Sequence, residues 1–201
     1  MTDYVTAETR GAEGAPLVLT FHGTGGDERQ FHDAASSLVP GAHVISPRGD
    51  VSENGMNRYF RRTGEGVYDM EDLARRTAAM AAFVAEAKAR TGAARVIALG
   101  YSNGANISAS VALVRPELFT DLALLHPLIP WRPEPQPGLS SARVLITAGR
   151  RDPICPPQLT QDFVDYLKAQ GADVQDVWHP GGHDIAPAEI DALRDFLSEM
   201  S

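Results

Sequence analysis

Two kinds of segment alternate along the chain. Short apolar, β-prone runs fall at 16–21, 43–46, 96–99, 122–125, 143–148 and 174–178. Runs of that length bounded by turn residues read as buried strands, and residues 3–9 add a possible edge strand. Between them lie stretches with helical spacing. One runs over about 28–39 and stops at Pro40-Gly41. The next is capped by Asp69, carries Leu73, Thr77, Met80, Val84 and Ala87 on one stripe, and ends at Gly92. A third starts near Asn103 and ends before Pro116. A fourth spans about 157–169, with Leu159, Phe163 and Leu167 on one side. The last opens at Pro187 and turns Ile190, Leu193 and Leu197 inward. Residues 48–68 hold four glycines and no clear period, so they read as a long loop of the kind that is usually functional or disordered.

Strands alternating with helices predict an α/β chain with a mostly parallel central sheet and helices on both faces. At 201 residues it reads as a single domain, 1–201, with nothing large enough for a separate cap domain. Ligands of such sheets bind beyond the carboxyl ends of the strands. The loops after Phe21, Leu99, Ala148 and Trp178 then share one rim.

Composition narrows the partners. The net charge of −8, from 26 acidic and 18 basic residues, disfavours nucleic acid and anionic membranes. One cysteine excludes an internal disulfide and points to the cytoplasm. Residues 1–8 lack the basic and apolar regions of a signal peptide, and no apolar stretch is long enough to span a bilayer. A two-fold homodimer is the default for a soluble oligomer.

The chemistry starts at Gly100-Tyr-Ser-Asn-Gly104, a G-x-S-x-G pattern between a predicted strand and a predicted helix. A serine in that turn is strained and exposed, with helix N–H groups behind it. The bland reading is a tight turn with a solvated serine. As nucleophile, Ser102 needs a base, and six histidines are available. His183 lies in a Gly-rich loop after the last strand, free to reach the rim. His179 is the nearest rival but abuts the strand. His32, His43 and His126 read as structural. Asp152, following a buried strand and held by Pro153, suits the carboxylate that orients the base, and otherwise reads as a turn cap. The order Ser102, Asp152, His183 is that of α/β-hydrolases. An oxyanion hole needs two backbone N–H donors. Asn103 follows the nucleophile, and Thr24 in His22-Gly-Thr-Gly is the second candidate, unless that loop is an ordinary glycine turn.

The combined motifs are Phe21-His-Gly-Thr-Gly-Gly-Asp27, Ser46-Pro-Arg-Gly49, Gly100-Tyr-Ser-Asn-Gly104, Gly149-Arg-Arg-Asp-Pro-Ile154 and Gly182-His183. With them, the chain resembles the small serine carboxylesterases of the α/β-hydrolase superfamily, the group that includes lysophospholipases and acyl-protein thioesterases. The resemblance implies Ser102, Asp152 and His183 as triad, Thr24 and Asn103 as oxyanion hole, and no metal or other cofactor. Asn54-Gly-Met-Asn-Arg-Tyr-Phe60 is similar to a bacterial subgroup acting on small aryl or alkyl esters, some members of which accompany aromatic-ring degradation. Cys155 departs from the apolar residue usual there and reads as a small buried side chain.

These readings point to a carboxylesterase for small-molecule esters with small to medium acyl or aryl groups. A thioesterase or lysophospholipase would use the same triad, and a non-catalytic ligand-binding module is the reading from another class. A dienelactone hydrolase is disfavoured by serine at 102 where a cysteine is expected, and a dehalogenase by the lack of a carboxylate there. Within 48–68, Met56, Tyr59 and Phe60, with Val67 and Tyr68, are expected to wall the pocket unless they only seal the core. Arg58, Arg61 and Arg62 offer charge for an anionic group on the substrate, but read first as a solvated face paired to Glu53 or Glu65.

Overall fold

The computed structural model describes residues 3–198. Its strands are β1 (Thr6–Thr9), β2 (Leu17–Phe21), β3 (His43–Pro47), β4 (Val51–Glu53), β5 (Met56–Arg58), β6 (Arg62–Gly64), β7 (Val67–Tyr68), β8 (Val96–Tyr101), β9 (Asp121–Leu125), β10 (Arg143–Gly149) and β11 (Asp173–His179). Its helices are α1 (His32–Leu38), α2 (Met70–Thr91), α3 (Asn103–Val114), α4 (Pro157–Ala169) and α5 (Pro187–Ser198). Seven strands form the main sheet in the order β1-β3-β2-β8-β9-β10-β11. All neighbours are parallel except β1, which pairs antiparallel with β3 at the edge.

The period-2 geometry of strands explains how continuous apolar runs are used. Leu17, Leu19 and Phe21 of β2 pack with Ala98, Leu122, Leu124, Val144 and Ile146 under α2, α3 and α4. Val18 joins Ile97, Leu99, Ala123, Leu125 and Leu145 on the other face, under α1 and α5. The α2 stripe from Leu73 to Ala87 is buried as its spacing predicts. The Asp69 side chain accepts from the Asp72 N–H, and Gly92 ends the helix.

Three expectations change. Helix α1 begins at His32, because Asp27 accepts from the Arg29 N–H at 2.8 Å and Glu28 turns to bond Arg48. The stretch 48–68 is two β-hairpins, β4–β5 and β6–β7, rather than a structureless loop. Asn54 and Gly55 sit at φ 52° and 84°, the left-handed pair that a two-residue hairpin turn requires. Finally, Ile190 is 45% exposed, and α5 is phased to bury Glu189 beside it.

No cap domain stands apart from the sheet and its helices among the described residues. No helix among them is long and apolar enough to cross a membrane.

Candidate active site

The chain leaves β2 for β3 on one side and returns with β8 on the other. A crevice forms at such a reversal, beyond the carboxyl ends of the strands. Thr24 follows β2, Ser102 follows β8, His126 follows β9, Asp152 follows β10 and His183 follows β11, so the rim collects them from five successive neighbours in the sheet.

Ser102 sits at φ 52°, ψ −116°, a strained conformation for a residue with a Cβ. Its N–H donates to Leu125 O at 2.9 Å, and its own carbonyl receives the first helical bond of α3, from Asn106. Gly104 is required by close approach, since a Cβ there would run into the backbone of Phe21 and His22.

The other two loops are stitched together. Arg150 and Arg151 donate backbone N–H bonds to His179 O and Gly181 O, each at 2.9 Å, and Gly149 packs on the Gly181-Gly182 backbone. Tyr101 OH donates to His183 O at 2.9 Å, and its ring lies 5.4 Å from the imidazole. The result is a continuous chain: His183 Nε2 is 2.9 Å from Ser102 Oγ, and His183 Nδ1 is 2.7 Å from Asp152 Oδ2.

Asp152 is fully ringed by donors. Its Oδ1 accepts the Ile154 and Cys155 N–H groups at 2.8 and 2.9 Å. Its Oδ2 faces His183 and also His126 Nδ1, 2.8 Å away. Burial by itself would raise this carboxyl, but the bonds from His126, His183 and the Cys155 N–H override it and hold it well below the usual carboxylate range.

His126 was expected to be merely structural, yet it lies directly beneath the site. Its far nitrogen, Nε2, is 2.9 Å from Glu189 Oε1 in an oblique charge-pair contact. Glu189 is buried and also faces His179 Nε2 at 3.1 Å, the Ala186 N–H at 2.6 Å and the Thr147 hydroxyl. Burial would raise the Glu189 carboxyl, but bonds from His126, Thr147 and Ala186 lower it. His179 is therefore turned away from Ser102. The donors His126, His179 and Glu189 lie close enough to hold a metal. However, Gly181 N–H donates to His179 Nδ1 at 3.0 Å, which leaves the proton on Nε2, the atom that would have to be a ligand. The set is better matched to hydrogen bonding.

Thr24 and Asn103 both line the cleft, and neither backbone N–H has a partner among the described hydrogen bonds. Hairpin β4–β5 holds the Thr24 loop: Gly25 N–H donates to Asn57 O at 3.0 Å, Asn57 Nδ2 donates to Gly26 O at 2.8 Å, and Arg58 Nη1 reaches Thr24 Oγ1 at 2.7 Å. Arg58 is thus buried, not solvated, and lies 4.0 Å from Glu53, while Arg62 pairs with both Glu53 and Glu65. Arg61 goes to Asp69 and Asp72 instead.

The cleft encloses about 290 Å³. Of the expected wall, Met56 and Tyr68 line it, but Tyr59 and Phe60 do not. Tyr59 is core: its hydroxyl accepts from His22 N–H and donates to Pro47 O. Phe60 is fully buried, edge-on to Tyr68 at 4.8 Å. Val67 is exposed and is not part of the cleft lining. Leu128, Ile154 and Cys155 add apolar surface from loops elsewhere in the chain, and Arg58, Arg62 and Glu65 give part of the wall a charged lining.

Sheet order and helix placement define an α/β-hydrolase, and solved structures agree. A carboxylesterase from Bacillus cereus superposes with a TM-score of 0.91 at 34% identity, over 98% of this chain and 94% of its own. The protein Atu2452 of Agrobacterium tumefaciens str. C58, of unknown function, gives 0.95 at 55% identity over 98% and 97%. Within that fold, the chain belongs to the dienelactone hydrolase family, which matches over residues 7–187. It is also 37% identical to the hydrolase candidate MhqD of Bacillus subtilis (strain 168), over 91% of this chain and 92% of that one. It is a hydrolase of that family, and position 102 is a serine.

Proposed function

We propose that this hydrolase is a serine carboxylesterase acting on small-molecule esters with small to medium acyl or aryl groups. The observation that carries this reading is the unbroken chain Asp152–His183–Ser102 ending on a strained serine at the floor of the cleft. Ser102 Oγ attacks the ester carbonyl while His183 Nε2 takes its proton. Asp152 keeps the His183 proton on Nδ1, so that Nε2 presents its lone pair to the serine. Negative charge developing on the carbonyl oxygen is met by the free N–H groups of Thr24 and Asn103, the second at the N-terminus of α3. His183 then protonates the leaving alcohol. Water, deprotonated by the same imidazole, releases the acyl group.

The cleft volume supports short acyl chains, and its wall of Met56, Tyr68, Leu128 and Ile154 supplies the apolar contact. The single cysteine is buried, which supports a cytoplasmic setting, and the charge of −8 supports a small-molecule substrate over nucleic acid.

The test is a panel of nitrophenyl esters of increasing chain length, with thioester counterparts, on wild type and Ser102→Ala. Ser102→Ala is expected to lose on the order of 10³-fold or more in kcat, and to lose fluorophosphonate labelling while staying folded. Retained labelling of the folded variant, or a wild-type optimum at long acyl chains, refutes the assignment.

A further inference from the structure

The carboxylate that orients His183 is shared. Asp152 Oδ2 faces the Nδ1 atoms of two histidines, His183 at 2.7 Å and His126 at 2.8 Å. On its far edge His126 meets a second buried carboxylate, Glu189. The groups packed around the two carboxylates set the charge of each. Each oxygen of Asp152 faces two donors, Ile154 and Cys155 N–H on one side, the two imidazoles on the other. Each oxygen of Glu189 likewise faces two, Thr147 and His126 on Oε1, Ala186 N–H and His179 on Oε2. These donors hold both carboxyls down against their burial, so each is ionised. His126 lies between the two, its Nδ1 bonded to Asp152 and its Nε2 in the oblique contact with Glu189, and the ring between two negative charges is an imidazolium. His179 takes the Gly181 N–H on its Nδ1 and faces Glu189 with its Nε2.

The remaining groups around His126 do not change this. The Tyr101 ring stands edge-on at 5.9 Å. Cys155 donates its thiol to His126 O, and burial pushes that thiol up, so it stays neutral. His183 lies 5.1 Å away, ring to ring, and Glu189 sits on the opposite edge of His126 from Asp152. Among the described residues His126, at φ 50°, is one of three non-glycine residues with positive φ, and Ser102, at 52°, is another. That turn of the backbone after β9 is what points its side chain under the site.

We infer that His126 is a positioning residue that acts through Asp152: its fixed positive charge opposes proton uptake by His183 and keeps the Ser102 base neutral, and so active, at lower pH. In an isolated Asp–His pair the whole carboxylate charge favours the protonated base. Here part of it is already balanced by His126, and a like charge 5.1 Å from His183 works in the same direction. The electrostatics of the buried group agree, since burial would lower His126 but the bonds and charges of Asp152 and Glu189 push it up to about 9.

This rests on the Ser–His–Asp reading, and the experiment separates the two. The rate of fluorophosphonate labelling is followed against pH for wild type, His126→Asn and Ser102→Ala. Labelling is a single acylation event, so later steps do not mask the base. Asparagine keeps an N–H donor toward Asp152 and tolerates positive φ, but removes the charge. The acidic limb in His126→Asn is expected to move up by about one pH unit, a ~10-fold slower labelling at a pH below the limb. A purely structural role would lower the plateau and leave the limb in place, and an unmoved limb in the folded variant overturns the inference. Labelling that survives in Ser102→Ala would instead sink the triad reading itself. Should His126→Asn not fold, ¹⁵N-histidine spectra of the wild type decide: two protonated nitrogens on His126 at pH 7 support the inference, and a neutral ring there refutes it.

Discussion

Ser102, Asp152 and His183 were legible because each lies at a place where local sequence dictates geometry: a Gly-flanked strand–helix turn, a strand end pinned by Pro153, a Gly-rich loop. Asp152 sits between two backbone N–H groups and two imidazoles, so Asp152→Asn sets an amide NH₂ either against the Ile154 and Cys155 N–H groups or against His183 Nδ1, where it imposes the wrong tautomer. It is expected to lower kcat by on the order of 10³-fold, while Asp184→Asn, whose carboxylate is exposed, changes little. The reverse ranking in a steady-state assay would refute the acid assignment. Phe60 illustrates the opposite case. Its apolar character suited a pocket wall as well as a core, and composition cannot tell them apart. Because it is fully buried, Phe60→Ala is expected to cost about 3–5 kcal/mol of stability, measured by denaturant unfolding, without moving the acyl-chain preference.

At the scale of elements, strands and long helices followed from period and punctuation, and the α2 stripe and its Asp69 cap are as the spacing predicts. The two hairpins in 48–68 were missed although Asn54-Gly55 carried the signal, since three-residue strands are too short to show alternation. Hairpin β4–β5 braces the Thr24 loop through Asn57 and Arg58. Gly55→Ala puts a Cβ at φ 84°, which costs about 1–2 kcal/mol, within the hairpin alone. The expected outcome is faster hydrogen exchange at the Gly25 amide and a lower kcat/KM, with the global unfolding midpoint changed far less than in Phe60→Ala. An unchanged Gly25 exchange rate would show that the hairpin does not hold that loop.

At the scale of the whole molecule, the buried charges tie stability to pH. His126 is raised from an ordinary 6.5 to about 9 on folding. A raised group contributes stability that is fully present below its unfolded value and is lost as pH rises through its folded one. Thermal midpoints of the wild type are therefore expected to fall between pH 7 and 10, and those of His126→Asn to fall less; parallel curves would contradict a charged His126. The sequence alone determined the alternation of strand and helix, the rim on which the site sits and the three residues of the Ser102 chain, because these depend on neighbours a few positions apart. Only the tertiary structure decided what lies beneath them. His126 stood at a strand end like the others, but Glu189 is on a helix whose apolar period favoured burying Ile190. Strands β9, β10 and β11 had to be laid side by side, with α5 against them, before His126 could meet Asp152 on one edge and Glu189 on the other. Contacts between residues 26 to 63 positions apart leave no periodic trace in the chain, since what joins them is the order of strands in the sheet.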